Sequence, residues 1–244
     1  MPVSESIKAY DIPERVAGYD SDMELMHPNR NKMLQVMLEL LPIRPADSFT
    51  ALDLGVGTGF FANAILTRFP NCRVIAVDGA ASMTEMAKSR LGSLAKRVDF
   101  RIGDFRYLAK LLPDVAPLEL IYSSYALHHL TLQEKLNLIR DVMRLLKPGG
   151  WFLNADLIVA VDKLTEARIQ EIRVSGIVSR AGGQDKRFLT TSSTRAFLDD
   201  LEARDNDKPL TLVEDLKILK EAGLDNASVF WLEYREAITG GFKS

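Results

Sequence analysis

Five short apolar runs between residues 50 and 158 alternate with stretches of helical spacing, and this alternation leaves the chain few ways to fold. The runs are "TALDLG", "RVIAVDG", "VDFRIGD", "LELIYSS" and "WFLNADLI", each read as a buried strand. Between them, "FFANAILTRF" places Phe61, Ile65, Leu66 and Phe69 at helical spacing. "MTEMAKSRL" and "LQEKLNLIRDVMRLL" are also helices, the second stopped by "KPGG". Strands separated by helices predict βαβ units with right-handed crossovers and a parallel sheet covered on both faces. Near the end, "TLVEDLKILKEAG" reads as a helix, and "ASVFWLEYR" and "EAITGGFK" as two strands with almost nothing between them. They should pair as an antiparallel hairpin at one end of the sheet, giving seven strands.

The flanking segments organise the rest. Residues 1–28 are polar and read as irregular, with Pro13 and Pro28 as breakers. "NRNKMLQVMLELL" then puts Met33, Met37, Leu40 and Leu41 on one helical face, stopped by Pro42. Residues 160–210 are charged and helical around a "GGQDKR" break, and are expected to cover the substrate side rather than to form an independent domain. The expected organisation is one domain over 1–244. Within it lie an N-terminal lid and helix (1–41), a ligand-binding core (50–158), a helical insert (160–210), and a last helix with the hairpin (211–244).

Composition excludes several classes of function. The 33 acidic and 31 basic side chains leave no excess of cations for broad nucleic-acid binding. A single cysteine, Cys72, cannot form an intrachain disulfide, which fits a cytoplasmic protein. No secretory signal and no run of membrane-spanning length is evident.

The stretch "LDLGVGTGF" sits between the first strand and the first helix of the core. Glycines at 55, 57 and 59 leave room for a ligand against the backbone, and the helix start offers free amides. A tight turn with no ligand would show the same residues. Two further strand ends favour a ligand. Asp78 closes the second strand about twenty residues on, where an acid can accept ribose hydroxyls. Asp104 and Phe105 follow the third, where an acid can accept an adenine amino group and a ring can cover the base. A solvated turn acid, or a helix cap followed by a core aromatic, are the plainer readings of these positions. The dinucleotide fingerprint is G-x-G-x-x-G, and here the third glycine comes one residue early, which disfavours a nicotinamide dehydrogenase.

With Asp53 two residues before Gly55, the loop resembles the D-x-G-x-G-x-G signature of class I S-adenosylmethionine-dependent methyltransferases. "VIAVDGAASMTEMAK", "IGDF", "LELIYSSYALHHL" and "LKPGG" are similar to successive segments of that family, so the likeness spans residues 50–157 and the terminal hairpin. It implies a three-layer Rossmann-like sandwich and S-adenosylmethionine as cofactor, with S-adenosylhomocysteine as product. Asp53 would bond the methionine amine directly or through water. Gly55, Gly57 and Gly59 would pack against the amino-acid end, Asp78 would take the ribose, and Asp104 with Phe105 the adenine. Gly79, Met83 and Ser123 fall at further cofactor positions. The family's N-terminal lid implies that Tyr19 or Arg30 binds the methionine carboxylate; a surface arginine on a first helical turn is the alternative for Arg30. The sequence is most similar to the small-molecule type and to the branch that makes or uses carboxylated S-adenosylmethionine. Glu119 stands where the family more often has Asp. Ser123, Ser124 and Tyr125 replace the N/D-P-P-Y/F motif of enzymes that methylate bases or glutamine amides.

Methyl transfer needs alignment and exclusion of water, and a base only when the acceptor carries a high-pKa proton. Tyr125, His128 and His129 follow the fourth strand and Asp156 ends the fifth, which makes Tyr125, His129 and Asp156 the catalytic candidates; capping and packing are the alternative for the histidines. No metal is expected, because adjacent histidines on a helix should point apart and Cys partners are absent. The leading expectation is a methyltransferase acting on a small molecule, without nucleic-acid or membrane partners, as monomer or homodimer. An enzyme that makes or uses a carboxylated cofactor and a noncatalytic cofactor-binding subunit are the alternatives.

Overall fold

The computed structural model describes residues 4–244. Seven strands form one sheet: β1 (Phe49–Leu54), β2 (Cys72–Asp78), β3 (Val98–Ile102), β4 (Leu118–Ser124), β5 (Leu146–Leu157), β6 (Ser228–Glu233) and β7 (Glu236–Phe242). Their order is β3-β2-β1-β4-β5-β7-β6. The first five pair in parallel, while β7 runs antiparallel to both β5 and β6. The order reverses between β1 and β4, the place where ligand crevices open in such sheets.

Strand alternation divides the core in two. Ala51 of β1 and Tyr122 of β4 face one side, under α3 (Arg30–Leu40), α4 (Phe60–Arg68) and α5 (Ala81–Leu91). Leu52, Leu54 and Ile121 face the other, under α6 (Leu108–Leu111), α7 (Leu132–Leu145) and α10 (Leu212–Glu221). This is the three-layer sandwich. Helix α7 starts at a capping box between Thr131 and Glu134, and its buried Lys135 holds Asp215 of α10 at 2.7 Å.

Two details differ from the sequence reading, and a third adds to it. Residues expected to be irregular form α1 (Glu5–Tyr10) and α2 (Pro13–Met26), with Pro13 at the helix start, where its missing amide costs nothing; residues 1–3 lie outside the described part. "KPGG" lies within β5, which begins at Leu146 and is out of regular register with β4 between Leu118 and Leu120. The insert folds as α8 (Lys163–Ala181) and α9 (Thr191–Asp205); Val174 and Ile177 of α8, Leu198 of α9 and Phe188 of the short turn between them pack on Leu25 and Met26 of α2. Lid and insert therefore share a small apolar core of their own.

Candidate active site

A cleft of about 810 Å³ opens at the carboxyl ends of β1 to β4. Gly55, Gly57, Asp78, Gly79, Met83, Asp104 and Phe105 line it, together with Tyr19 and Arg30 from the N-terminal helices and Tyr125 and His129 from the loop after β4. Residues far apart in sequence thus meet in one place.

The three glycines serve three purposes. All have positive φ, between 52° and 82°. A Cβ on Gly55 would strike Ala126 at 2.5 Å, and one on Gly59 would press on the Ala87 backbone at 3.1 Å. Only at Gly57 would it meet open space, with its nearest neighbour 4.0 Å away. Of the three, Gly55 and Gly57 line the cleft, and the missing side chains of Gly55 and Gly59 also let the β4 loop and α5 approach.

Asp78 is bound to this loop. Its Oδ2 accepts the Gly57 amide at 2.8 Å and its Oδ1 the Ala80 amide at 2.9 Å. Burial raises its pKa, and these amides pull the other way. Asp104 caps the turn that follows it, accepting the Arg106 amide at 3.0 Å and pairing with the Arg106 guanidinium at 2.7 Å.

Asp53 lies behind the loop, 1% exposed, and does not line the cleft. Its Oδ2 is buried without a hydrogen-bond partner. Burial pushes its pKa up to about 7, with the Tyr122 hydroxyl lowering it and Asp78 adding to the rise. Arg30 lies over the Phe60 ring at 3.9 Å and donates to Asp20 at 2.7 Å, while its Nε has no partner.

Two candidates are elsewhere than expected. Ser123 is fully buried and donates to the Leu54 carbonyl; Ser124, one residue on and therefore on the other face, lines the cleft. Asp156 is 1% exposed and lines neither the cleft nor the space beside it. Its Oδ1 accepts from His128 Nδ1 at 2.6 Å, so it holds a histidine rather than facing a substrate. Tyr125 is in place but engaged. Its φ is +47°, and its hydroxyl donates to Glu236 at 2.7 Å. Glu236 also takes His27 Nδ1 at 3.0 Å and the Asn29 amide at 3.2 Å. The two adjacent histidines do not point apart: His129 Nδ1 and His128 Nε2 lie 3.0 and 3.6 Å from the same oxygen of Asp207.

A second space of about 1410 Å³ lies between α2, α8 and α9. It shares Tyr10, Tyr19 and Tyr125 with the cleft, and His128 and Asp207 line it. Its roof is tied down at Asp205, which takes both the Arg15 guanidinium and the Tyr10 hydroxyl. Thr58, which lines the cleft and donates to Asp20 at 3.1 Å, and Ser124, Asp207 and Glu236 escaped the sequence reading. Ser124 could have been found from strand period; Asp207 and Glu236 come from distant segments that carry no local motif.

Comparisons agree with this geometry. Residues 51–150 match the family model described as a methyltransferase domain. An uncharacterized methyltransferase of Anoxybacillus flavithermus (strain DSM 21510 / WK1) is 36% identical over 140 residues, 57% of this chain and 62% of that one. A carboxy-S-adenosyl-L-methionine synthase of Shewanella loihica (strain ATCC BAA-1088 / PV-4) is 24% identical over 232 residues, 93% of this chain and 90% of the relative. An O-methyltransferase family protein from Burkholderia thailandensis has the same fold, with a TM-score of 0.71 at 17% identity, covering 100% of this chain and 64% of that one. The chain thus spans under two thirds of the first of these relatives and of that solved structure. In its fold, its strand-end acids and its glycine loop, the chain is similar to the class I S-adenosylmethionine-dependent methyltransferases, and residues 51–150 match their methyltransferase domain. No helix among the described residues is long and apolar enough to cross a membrane.

Proposed function

We propose that this protein transfers the methyl group of S-adenosylmethionine to a small-molecule acceptor held between the lid and the insert. The observation that carries this reading is the adjacency of two spaces: the cleft over the strand ends and the space under α8 and α9 lie side by side and share Tyr10, Tyr19 and Tyr125 in their walls.

The residues present fit the cofactor. Gly57 offers a cradle that any side chain would fill. Arg30, which lines the cleft, has a buried Nε without a partner and the charge that suits a methionine carboxylate, and Asp53, behind the loop with an unpartnered Oδ2, would reach the methionine amine through water. Asp78 would take the ribose hydroxyls with the lone pairs its amide bonds leave, and Asp104 and Phe105 the adenine. When bound, the cofactor supplies a methyl group on a sulfonium whose departure leaves a neutral thioether. The protein orients the acceptor and excludes water, and α1, α2 and the insert are placed to do both.

Tyr125 and Asp156 are positioning residues in this account, since their polar atoms hold Glu236 and His128. His129 on the cleft side and His128 on the acceptor side are the groups left to meet the acceptor. A carboxylated cofactor would call for a cation free to pair with it. Arg15, Arg173 and Arg187, which line the acceptor space, are paired with Asp205, Glu202 and Asp22, while Arg204, which also lines it, is half-exposed and comes only within 3.8 Å of Asp205.

The test is a panel of small hydroxyl, amine and thiol acceptors with methyl-labelled cofactor. Label in a small product, lost when His128 and His129 are replaced, is expected. Firm cofactor binding with no transfer to any acceptor, and turnover on a protein or nucleic-acid substrate instead, would overturn the reading.

A further inference from the structure

Two adjacent histidines, not expected from the sequence to hold a metal, lie together with an aspartate between the cleft and the acceptor space. His128 Nε2, His129 Nδ1 and Asp207 Oδ1 all lie within 4.8 Å of one another, with Asp207 Oδ1 3.6 Å from the first and 3.0 Å from the second. Ligand atoms about 2.0–2.2 Å from one ion stand roughly this far apart. His129 Nδ1 and Asp207 Oδ1 stand 3.0 Å apart, both buried, and make no hydrogen bond of regular geometry.

The surroundings hold these atoms in place. Asp156 accepts from His128 Nδ1 at 2.6 Å, which puts the proton on Nδ1 and turns the Nε2 lone pair toward Asp207. A carboxylate behind a ligating imidazole is the usual support for such a ligand. Asp207 is fixed through the backbone on both sides: its own amide donates to the Glu202 carbonyl at 3.0 Å, and that of Lys208 to the His128 carbonyl at 2.7 Å. The Tyr10 ring, 5.5 Å from that of His129, covers one flank.

We propose that His128, His129 and Asp207 bind one divalent first-row transition-metal ion. Two imidazoles and one carboxylate suit zinc, iron, cobalt or manganese rather than magnesium or calcium, which take oxygen ligands. Three protein ligands leave coordination positions free. His129 faces the cleft while His128 and Asp207 face the acceptor space, so those positions lie where methyl donor and acceptor meet. Resting on the methyltransferase reading, this narrows the acceptor class to molecules with a metal-binding oxygen, a hydroxyl or a hydroxyl beside a carbonyl. The ion would lower that hydroxyl's pKa and fix its direction.

The test uses the untagged full chain, stripped with a chelator and titrated with Zn²⁺ or Co²⁺ alone, without cofactor, so that failure here leaves the methyltransferase reading standing. One ion per chain is expected, with visible cobalt absorption of a low-coordinate nitrogen and oxygen site. D207N should abolish stoichiometric binding and D156N should weaken it roughly 10- to 100-fold. H129Q serves as a second ligand variant should D207N fail to fold, and S-adenosylhomocysteine binding checks each variant's integrity. A wild-type chain that takes up no ion at micromolar metal, or ligand variants that bind as tightly as wild type, would overturn the proposal.

Discussion

Asp78 Oδ2 accepts the backbone amide of Gly57 at 2.8 Å, so the acid at the end of β2 holds the glycine loop of β1 in shape. The same carboxylate is the group proposed to receive the ribose. Replacing it by alanine is therefore expected to act twice. Affinity for S-adenosylhomocysteine should fall by about 1.5–3 kcal/mol, the range for hydrogen bonds to a charged group. The melting temperature should fall as well, since the Gly57 and Ala80 amides lose their acceptor. Calorimetry and thermal unfolding of Asp78→Ala check both; full affinity with a lowered melting temperature would make Asp78 a purely structural turn acid.

Asp53 predicts a pH dependence. Its folded pKa, pushed to about 7 by burial, lies above that of an exposed carboxyl, so the folded chain keeps a proton that the unfolded chain has lost. Its contribution to stability is present below the ordinary carboxylate pKa and disappears as the pH rises through about 7. A cationic amine nearby reverses the preference and favours the carboxylate. S-adenosylmethionine should therefore bind more tightly as pH rises from 6 to 8, by at most about tenfold per unit. Asp53→Asn should flatten this profile. Calorimetry across that range decides, and an unchanged slope in the variant would assign the dependence to another group.

Lys135 and Asp215 form a buried pair between α7 and α10, at 2.7 Å and with both side chains under 5% exposed. Removing one partner leaves an uncompensated charge. Lys135→Met is expected to cost about 3–5 kcal/mol, and adding Asp215→Leu should restore most of it. Urea unfolding of the single and double variants measures this; equal losses in both would mean that packing, not charge, dominates there.

Asp205 joins the lid to the insert through Arg15 and Tyr10. Asp205→Ala should speed hydrogen exchange in α1, α2 and α9 without affecting β1 to β5, and S-adenosylhomocysteine should slow it again in the wild type. High protection of both segments, with or without ligand and in the variant, would show them to be rigid core.

Much of the core was legible because its periodicity is local. The apolar runs of β1 to β5 and the loop from Asp53 to Gly59 carry their fold in consecutive residues, and the cleft assembles at their ends. The acceptor side was less legible for physical reasons. Ser124 replaced Ser123 because strand faces alternate at every residue, and a placement one off changes sides. Asp156 ends a strand as expected, yet its direction depends on His128, 28 residues away. The N-terminal helices looked irregular because much of their buried surface is made with the insert, not along their own length. The histidines converge because the loop after β4 is a single short turn over Leu127–His129, not the regular helix whose geometry would turn them apart.

The most direct measurement of the central claim is calorimetric titration of the purified chain with S-adenosylmethionine and, separately, with NAD. Micromolar binding of the first and none of the second is expected. Loss of binding is also expected in Gly57→Val, where a branched side chain would enter the one open position of the loop at a φ of +52°. Binding of NAD without S-adenosylmethionine, or full S-adenosylmethionine affinity in the valine variant, would contradict the central claim.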